Sequence, residues 1–494
     1  MYSVQIRSSR IFLQKQIRSS HRFDLVKLLT CLIALAFSAV APAQQPSFVV
    51  IFVDDLGYGD LGCYGSTTIK TPRIDGMAKE GMRFTHFYAQ TVCGPSRAAL
   101  MTGSYPLRLA TLNNRVETHP RLHSKEITMA EVLKEAGYAT GAFGKWDLAG
   151  HTQTKYTKEL LPTYQGFDYF FGTPSSNDSL IHLLRNDEMI EENAPMATIT
   201  RRLTDEAIGF IQRNREKPFL VYLAHPMPHV RLEASEQFLG KSKAGIYGDV
   251  VEEIDWNVGR ILDELKKLRL DEDTYVIFLS DNGPWYLGRS KAHHRIIGPD
   301  AVKHGGTAAP LRGDKTTIWE GGVRVPCIVC APGRVPADKT SDAFSSTMDL
   351  MPTLAKLGGG KLPADRIIDG HDLSEVWAGV EGVISLRTTF YYYQQTRLQA
   401  VRSGKWKLHL PGHRLWPQYA KEEDMGPIAK PMLYDLEAEI DERTNLAEAN
   451  PEVVKELMAL AEKARNDVGD HDRMGKGARF FDKGPKRPDI KRPK

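Results

Sequence analysis

Phe48-Val49-Val50-Ile51-Phe52-Val53 is an unbroken apolar run that stops at Asp54-Asp55. A run with no polar alternate predicts a strand buried on both faces, as in a parallel sheet. Phe219 to Ala224 repeats the pattern and leads into His225 and His229. Tyr275 to Leu279 repeats it again and ends in Ser280-Asp281-Asn282-Gly283. Between the last two runs, Val251, Ile254, Val258, Ile261, Leu265 and Leu268 recur at three- and four-residue spacing, which predicts an amphipathic helix. Strand, helix and strand make a βαβ unit, so the sheet is expected to be largely parallel. The polar clusters fall just past the strand ends, where open α/β sheets bind ligands.

The pattern changes after about Val383. Phe390 to Tyr393 predicts a strand, and Leu398 to Leu410 a hairpin turning at Ser403-Gly404. Leu433 to Leu436 predicts a further short strand. Asn450-Pro451-Glu452 opens a helix with Val453, Val454, Leu457 and Leu460 on one face. The expectation is an α/β chain with a largely parallel sheet. A smaller C-terminal α+β domain carries an antiparallel sheet and one helix. No internal repeat is present.

Charge and cysteine content narrow the class. The first 43 residues carry Arg7, Arg10, Lys15, Arg18, Arg22 and Lys27 against Asp24, then an apolar run from Leu28 to Val40 and Ala41-Pro42-Ala43. That is the layout of a signal peptide, and the apolar run is short for a membrane span. An exported, periplasmic or secreted protein is expected, and an uncleaved anchor is the competing reading. Without residues 1–43 the chain has 59 cationic and 60 acidic side chains, so the net charge of +4 becomes −1. The basic balance therefore belongs to the leader and gives no reason to expect a nucleic-acid partner. Four cysteines follow Cys31, too few for a disulfide scaffold. Cys327 and Cys330 lie inside an apolar run and read as strand packing.

Cys93-Gly94-Pro95-Ser96-Arg97 is the most informative stretch. Pro95 stands at a first-turn position and Ala98-Ala99-Leu100-Met101 are good helix formers, so Cys93 opens a helix. Free N–H groups there, with the Arg97 guanidinium, suit a tetrahedral oxyanion. The pentapeptide reads as a nucleophile in an anion cradle, or alternatively as a buried structural cysteine. Lys145 and Lys315, each near glycine, add compact positive charge. Asp54, Asp55, Asp281 and Asn282 make an all-oxygen set that selects calcium or magnesium over zinc; turn chemistry is the alternative. His229 follows an apolar strand and is suited to protonating a leaving oxygen.

Five motifs, in order, resemble those of the sulfatase family. They are Asp54-Asp55-Leu56-Gly57-Tyr58-Gly59-Asp60, Cys93 to Gly103, Gly144-Lys145-Trp146, Ser280 to Gly283, and Lys315 to Pro326. The resemblance spans about Ser47 to Ala464 and is nearest to arylsulfatase A-like enzymes. It implies an alkaline-phosphatase-like fold, with a large mixed, mostly parallel sheet between helices and a smaller C-terminal α+β domain. The expected division is a signal peptide at 1–43, a catalytic domain at 44–383, a small domain at 384–470 and a basic tail at 471–494. It implies hydrolysis of sulfate esters, with Cys93 oxidised to formylglycine before export by a maturation enzyme that reads Cys93, Pro95 and Arg97. It implies calcium held by Asp54, Asp55, Asp281, Asn282 and the modified residue 93. A hydroxyl of the hydrated aldehyde, activated by Asp281, would attack sulfur. Arg97, Lys145 and Lys315 would hold the sulfate oxygens, and His229 would protonate the departing alcohol.

One position departs from the pattern. Two residues after the lysine the family usually has a histidine, whereas this chain has Asp147, with His151 four residues further on. Either is expected to serve as the base that releases sulfate. A phosphonate or phosphodiester hydrolase, and an inactive binder of sulfated glycans, are the competing functions. A cysteine hydrolase using the free thiol is a remote further one. Asn177, Asp178 and His225, with Trp285 and His371, are candidate substrate contacts. They favour a sulfated carbohydrate over a small aryl sulfate.

Overall fold

The computed structural model describes residues 45–109, 122–177, 180–285, 305–383, 385–412 and 427–479. The leader at 1–43 and the end of the basic tail lie outside the described residues. Within the unit that starts at Gln45, strands β1 (Ser47–Val53), β2 (Met82–Phe84), β3 (Phe87–Tyr88), β4 (Ala139–Lys145), β5 (Tyr169–Thr173), β6 (Leu183–Arg185), β7 (Glu188–Glu191), β8 (Phe219–His225), β9 (Thr274–Ser280), β10 (Cys327–Cys330) and β11 (Lys339–Ser341) appear in chain order. All but β3 join one ten-stranded sheet in the order β11-β2-β10-β9-β1-β8-β4-β5-β6-β7. Its centre, β9-β1-β8-β4-β5, is parallel, and β10, β6 and β7 run antiparallel to their neighbours.

The apolar runs become strands because both faces are covered. Val49, Ile51 and Val53 face the helices Met196–Asn214 and Gly245–Leu268. Phe48, Val50 and Phe52 face the helices Cys93–Thr102, Met129–Glu135 and Leu350–Gly358. Cys327 and Cys330 are buried in β10, as packing residues would be.

The register positions the chemistry. Val53 lies beside Ser280 on one side and His225 on the other, and Gly144 lies beside Ala224. The residues that follow these strands therefore emerge level with one another at one edge of the sheet. β4 supplies Lys145 to that edge by close backbone approach: Gly144 has φ +110°, and a Cβ there would sit 1.9 Å from the Ala224 carbonyl oxygen.

The C-terminal residues form a four-stranded antiparallel sheet of Thr389–Gln394, Arg397–Ser403, Trp406–His409 and Met432–Asp435, with the helix Pro451–Asp467 packed against it. The expected hairpin is present and turns at Gly404-Lys405, one residue later than Ser403-Gly404.

Gly144→Ala is expected to lower the unfolding free energy by on the order of 3 kcal/mol, through the strained φ and the clash together. Gly76→Ala, in the helix Pro72–Glu80 with open space at the new methyl, should raise it by about 0.5–1 kcal/mol. Urea unfolding of both variants checks the pair.

Candidate active site

Asp54 and Asp55 follow β1, Asp281 and Asn282 follow β9, and Lys145 ends β4. All five are buried. The Asp55 N–H donates to Asp281 Oδ1 at 3.1 Å, and Asn282 Nδ2 donates to Asp55 Oδ1 at 2.7 Å, so the two strand ends are tied together. Arg97 lies one turn into the helix Cys93–Thr102, with no exposed surface. Its guanidinium reaches Asp54 Oδ2 at 3.0 Å and Asp281 Oδ2 at 3.1 Å. It also donates to Tyr222 Oη and the Lys145 carbonyl oxygen, and stacks over Phe52. Lys145 Nζ lies 2.5 Å from Asp54 Oδ2. Lys315 Nζ lies 2.7 Å from Asp55 Oδ1 and over the Trp285 ring. Oxygens of Asp54 and Asp281 and the sulfur of Cys93 fall within 4.8 Å of one another.

The charges decide each protonation state. Burial alone would raise the Asp54 pKa, but Lys145, His229, Arg97 and Lys315 outweigh it and hold the carboxyl well below the usual range. Asp281 goes the other way, raised by burial and then by the charge of Asp54. Lys145 and Lys315 stay cationic because the carboxylates overcome the burial that would discharge them. Burial pushes the Cys93 thiol up to about 12, which counts against the cysteine-hydrolase reading, since the thiolate is the nucleophile.

His229 Nδ1 donates to the Val230 carbonyl oxygen at 2.5 Å, which directs Nε2 toward Asp55 Oδ2 at 3.7 Å. Burial, followed by Lys315, lowers its pKa. Asp147 is buried with φ +52°, and its Oδ1 lies 2.7 Å from His151 Nδ1. Its charge acts on both Cys93 and Lys145, which places the pair beside the cup.

Other expected contacts lie elsewhere. Asn177 is buried, and its amide donates to the Pro226 and Val230 carbonyl oxygens, so it braces the loop that carries His229. His225 comes three positions after Tyr222 on β8, on the opposite face, and is fully buried. His371 lies beside Asp349 and Arg387, and Asp178 lies outside the described residues. Sequence reasoning missed Tyr222 and Ser96, whose hydroxyl donates to the Asp281 carbonyl oxygen. A lone hydroxyl in the Phe219–Ala224 run was the available signal for Tyr222.

A model of the sulfatase family matches residues 46–360, and one for the C-terminal region of aryl-sulfatase matches residues 385–483. The chain belongs to the sulfatase family. This sulfatase is 35% identical to the steryl-sulfatase of Homo sapiens over 442 residues, covering 73% of this chain and 74% of that one. It is 37% identical to the N-acetylgalactosamine-6-sulfatase of Canis lupus familiaris, covering 81% and 78%. Among solved structures, the PsFucS1 sulfatase from Pseudoalteromonas sp. superposes with a TM-score of 0.72 at 27% identity, covering 85% of this chain and 90% of that one. The sulfatase has the alkaline-phosphatase-like fold of these neighbours and hydrolyses sulfate esters. A phosphonate monoester hydrolase from Silicibacter pomeroyi, at 17% identity and a TM-score of 0.61, shares the fold alone.

Burial lowers the His225 pKa from 6.5 to about 3. The unfolded chain then binds a proton that the folded chain refuses, so the stability His225 allows above 6.5 is lost as the pH falls toward 3. His225→Leu should flatten the pH dependence of the unfolding free energy between about pH 4 and 6 by about 1.4 kcal/mol per pH unit. Denaturation at stepped pH measures this slope, and an unchanged slope would mean that folded His225 is already protonated.

Proposed function

We propose that the sulfatase desulfates a carbohydrate, with calcium in the carboxylate cup and residue 93 as formylglycine. The observation that carries this reading is the buried opening of a helix at Cys93, against three carboxylates and ringed by Arg97, Lys145 and Lys315. The donor set fits a hard cation. Asp54 Oδ1 and Asn282 Oδ1 are buried oxygens with no hydrogen-bond donor among the described residues. The raised pKa of Asp281 reflects like charge that a cation would relieve. Asp54, Asp55, Asp281, Asn282 and residue 93 would hold the ion. When present, calcium and the formylglycine carbonyl supply an activated hydroxyl nucleophile at that point.

The chain's own residues do the rest. Arg97, Lys145 and Lys315 hold the sulfate oxygens and stabilise charge as it grows on them. A divalent ion added to three carboxylates and three cations leaves the cup with two positive charges in excess, which favours a sulfate monoester anion. Asp281 takes a proton from the attacking hydroxyl. His229 gives a proton to the leaving alcohol oxygen as the imidazolium: Nδ1–H stays on the Val230 carbonyl oxygen, and the second proton, taken up on Nε2 beside Asp55 and the bound sulfate anion, is the one transferred. Asp147, oriented by His151, accepts the proton that must leave residue 93 for sulfate to depart.

Cys93 is 6% exposed in the folded protein, too little for a second protein to engulf it, so the maturation enzyme acts on an unfolded chain. This agrees with conversion before export by the leader at 1–43. The carbohydrate reading draws on solved relatives. One is Ps i-CgsB in complex with k-i-k-neocarrahexaose, at 27% identity and a TM-score of 0.69, covering 85% of this chain and 92% of that one.

Intact-mass analysis of the exported protein should show aldehyde or its hydrate at residue 93, and desulfation of a panel of sulfated saccharides should exceed that of nitrophenyl sulfate. Chelation should abolish activity and calcium restore it. An unaltered Cys93 in fully active protein would overturn the reading. Lys145→Ala should lower kcat/KM by about 10²–10³-fold. His151→Ala should convert steady turnover into a burst of one alcohol per site followed by slow sulfate release; burst-free, unimpaired kinetics would remove this residue from the site.

A further inference from the structure

Lys315 reaches the cup on a loop and Cys93 at the opening of a helix, whereas Asp54, Lys145 and Asp281 arrive at the ends of paired strands. The sheet ladder therefore sets the second group but leaves the distance between Lys315 and residue 93 to other contacts. The Lys315 N–H donates to the Pro284 carbonyl oxygen at 2.9 Å, and further contacts come from the C-terminal sheet. Thr316, the residue after Lys315, has φ +74°, an unfavourable conformation for a β-branched side chain. Its N–H donates to the Thr91 carbonyl oxygen at 2.9 Å, two residues before Cys93. Its own carbonyl oxygen accepts from Gln394 Nε2 at the end of the strand Thr389–Gln394. Gln399, on the next strand, donates to Gln394 Oε1 at 2.7 Å and orients that amide. Thr91 Oγ1 in turn donates to the Tyr393 carbonyl oxygen at 3.2 Å. One strand end thus grips the Lys315 loop and the residues leading into Cys93 together, and Gln394 is buried there.

The flanks of the Lys315 segment are held by the same sheet. Arg312 donates to the Glu442 carbonyl oxygen at 2.9 Å, and the Glu320 N–H donates to Glu442 Oε2 at 2.7 Å. Lys407, buried, bridges Glu320 at 2.8 Å and Glu442 at 3.0 Å.

We infer that Gln394 is a positioning residue, through which the C-terminal sheet sets Lys315 against residue 93 for catalysis. This rests on the role proposed above for Lys315 on a sulfate oxygen. The amide makes its contact to backbone, so its effect on rate should pass through Lys315 and vanish when the ammonium is gone.

The test is a double-mutant cycle on the full chain with nitrophenyl sulfate. Gln394→Met keeps the volume and removes the donor. It should lower kcat/KM by about ten-fold, since small misplacements of catalytic groups cost rate steeply, while the melting temperature stays close to that of the parent. In a Lys315→Ala background the same change should cost little or nothing further. An undiminished ten-fold loss in that background, or no loss in the single variant, would overturn the inference. Full activity of Lys315→Ala alone would remove the role on which the inference rests, and that result is read without any Gln394 variant. If Gln394→Met does not accumulate, Gln399→Ala enters the same cycle, with a loss of about three-fold expected and the same non-additivity required.

Discussion

Asp54, Asp55 and Asp281 are carried into one water-free place by parallel strands, and everything around them answers that concentration of charge. Taking an ion out of water costs several kcal/mol even after the protein relaxes, so each carboxylate must be met by opposite charge and hydrogen bonds. Arg97 meets two of them at once, Lys145 shares Asp54 Oδ2 with it, and Lys315 meets both oxygens of Asp55. The cations are held in turn: Tyr222 and the Lys145 carbonyl oxygen fix the guanidinium, and Trp285 lies under the Lys315 ammonium. The arrangement is preorganised for an anion, because its positive groups are already oriented before a substrate arrives.

The same burial governs residue 93. Burial pushes the Cys93 thiol up to about 12, which weakens it as a nucleophile. A phosphonate monoester hydrolase shares the fold at 17% identity, and a fold by itself does not fix the reaction.

The C-terminal sheet belongs to the active site in a physical sense. Its strands bury Glu320, Glu442, Lys407 and His409 in one hydrogen-bonded network against the segment that carries Lys315. A buried network of this kind is stable only when every member is satisfied. The segment and the sheet are therefore expected to order together.

Much of this was readable in the residues. The strands Ser47–Val53, Phe219–His225 and Thr274–Ser280 announce themselves because burial on both faces demands unbroken apolar runs, and their ends name Asp54, Asp55, Asp281 and Asn282. The strand Ala139–Lys145 is hidden by Thr140, Gly141 and Gly144, where a close backbone neighbour replaces side-chain packing. The edge strand Glu188–Glu191 is hidden because it is largely solvent-exposed and carries no apolar face. By itself, the sequence determined which groups carry charge and which segments must be buried, since both follow from residue type. Only the tertiary structure decided what those groups touch. Sheet alternation turned His225 away from the cup that Tyr222 serves, the Asn177 amide went to brace a loop, and Gln394 met Thr316 across 78 residues of chain. Such partners are set by register and packing between distant segments, where a shift of one residue reverses the face a side chain occupies.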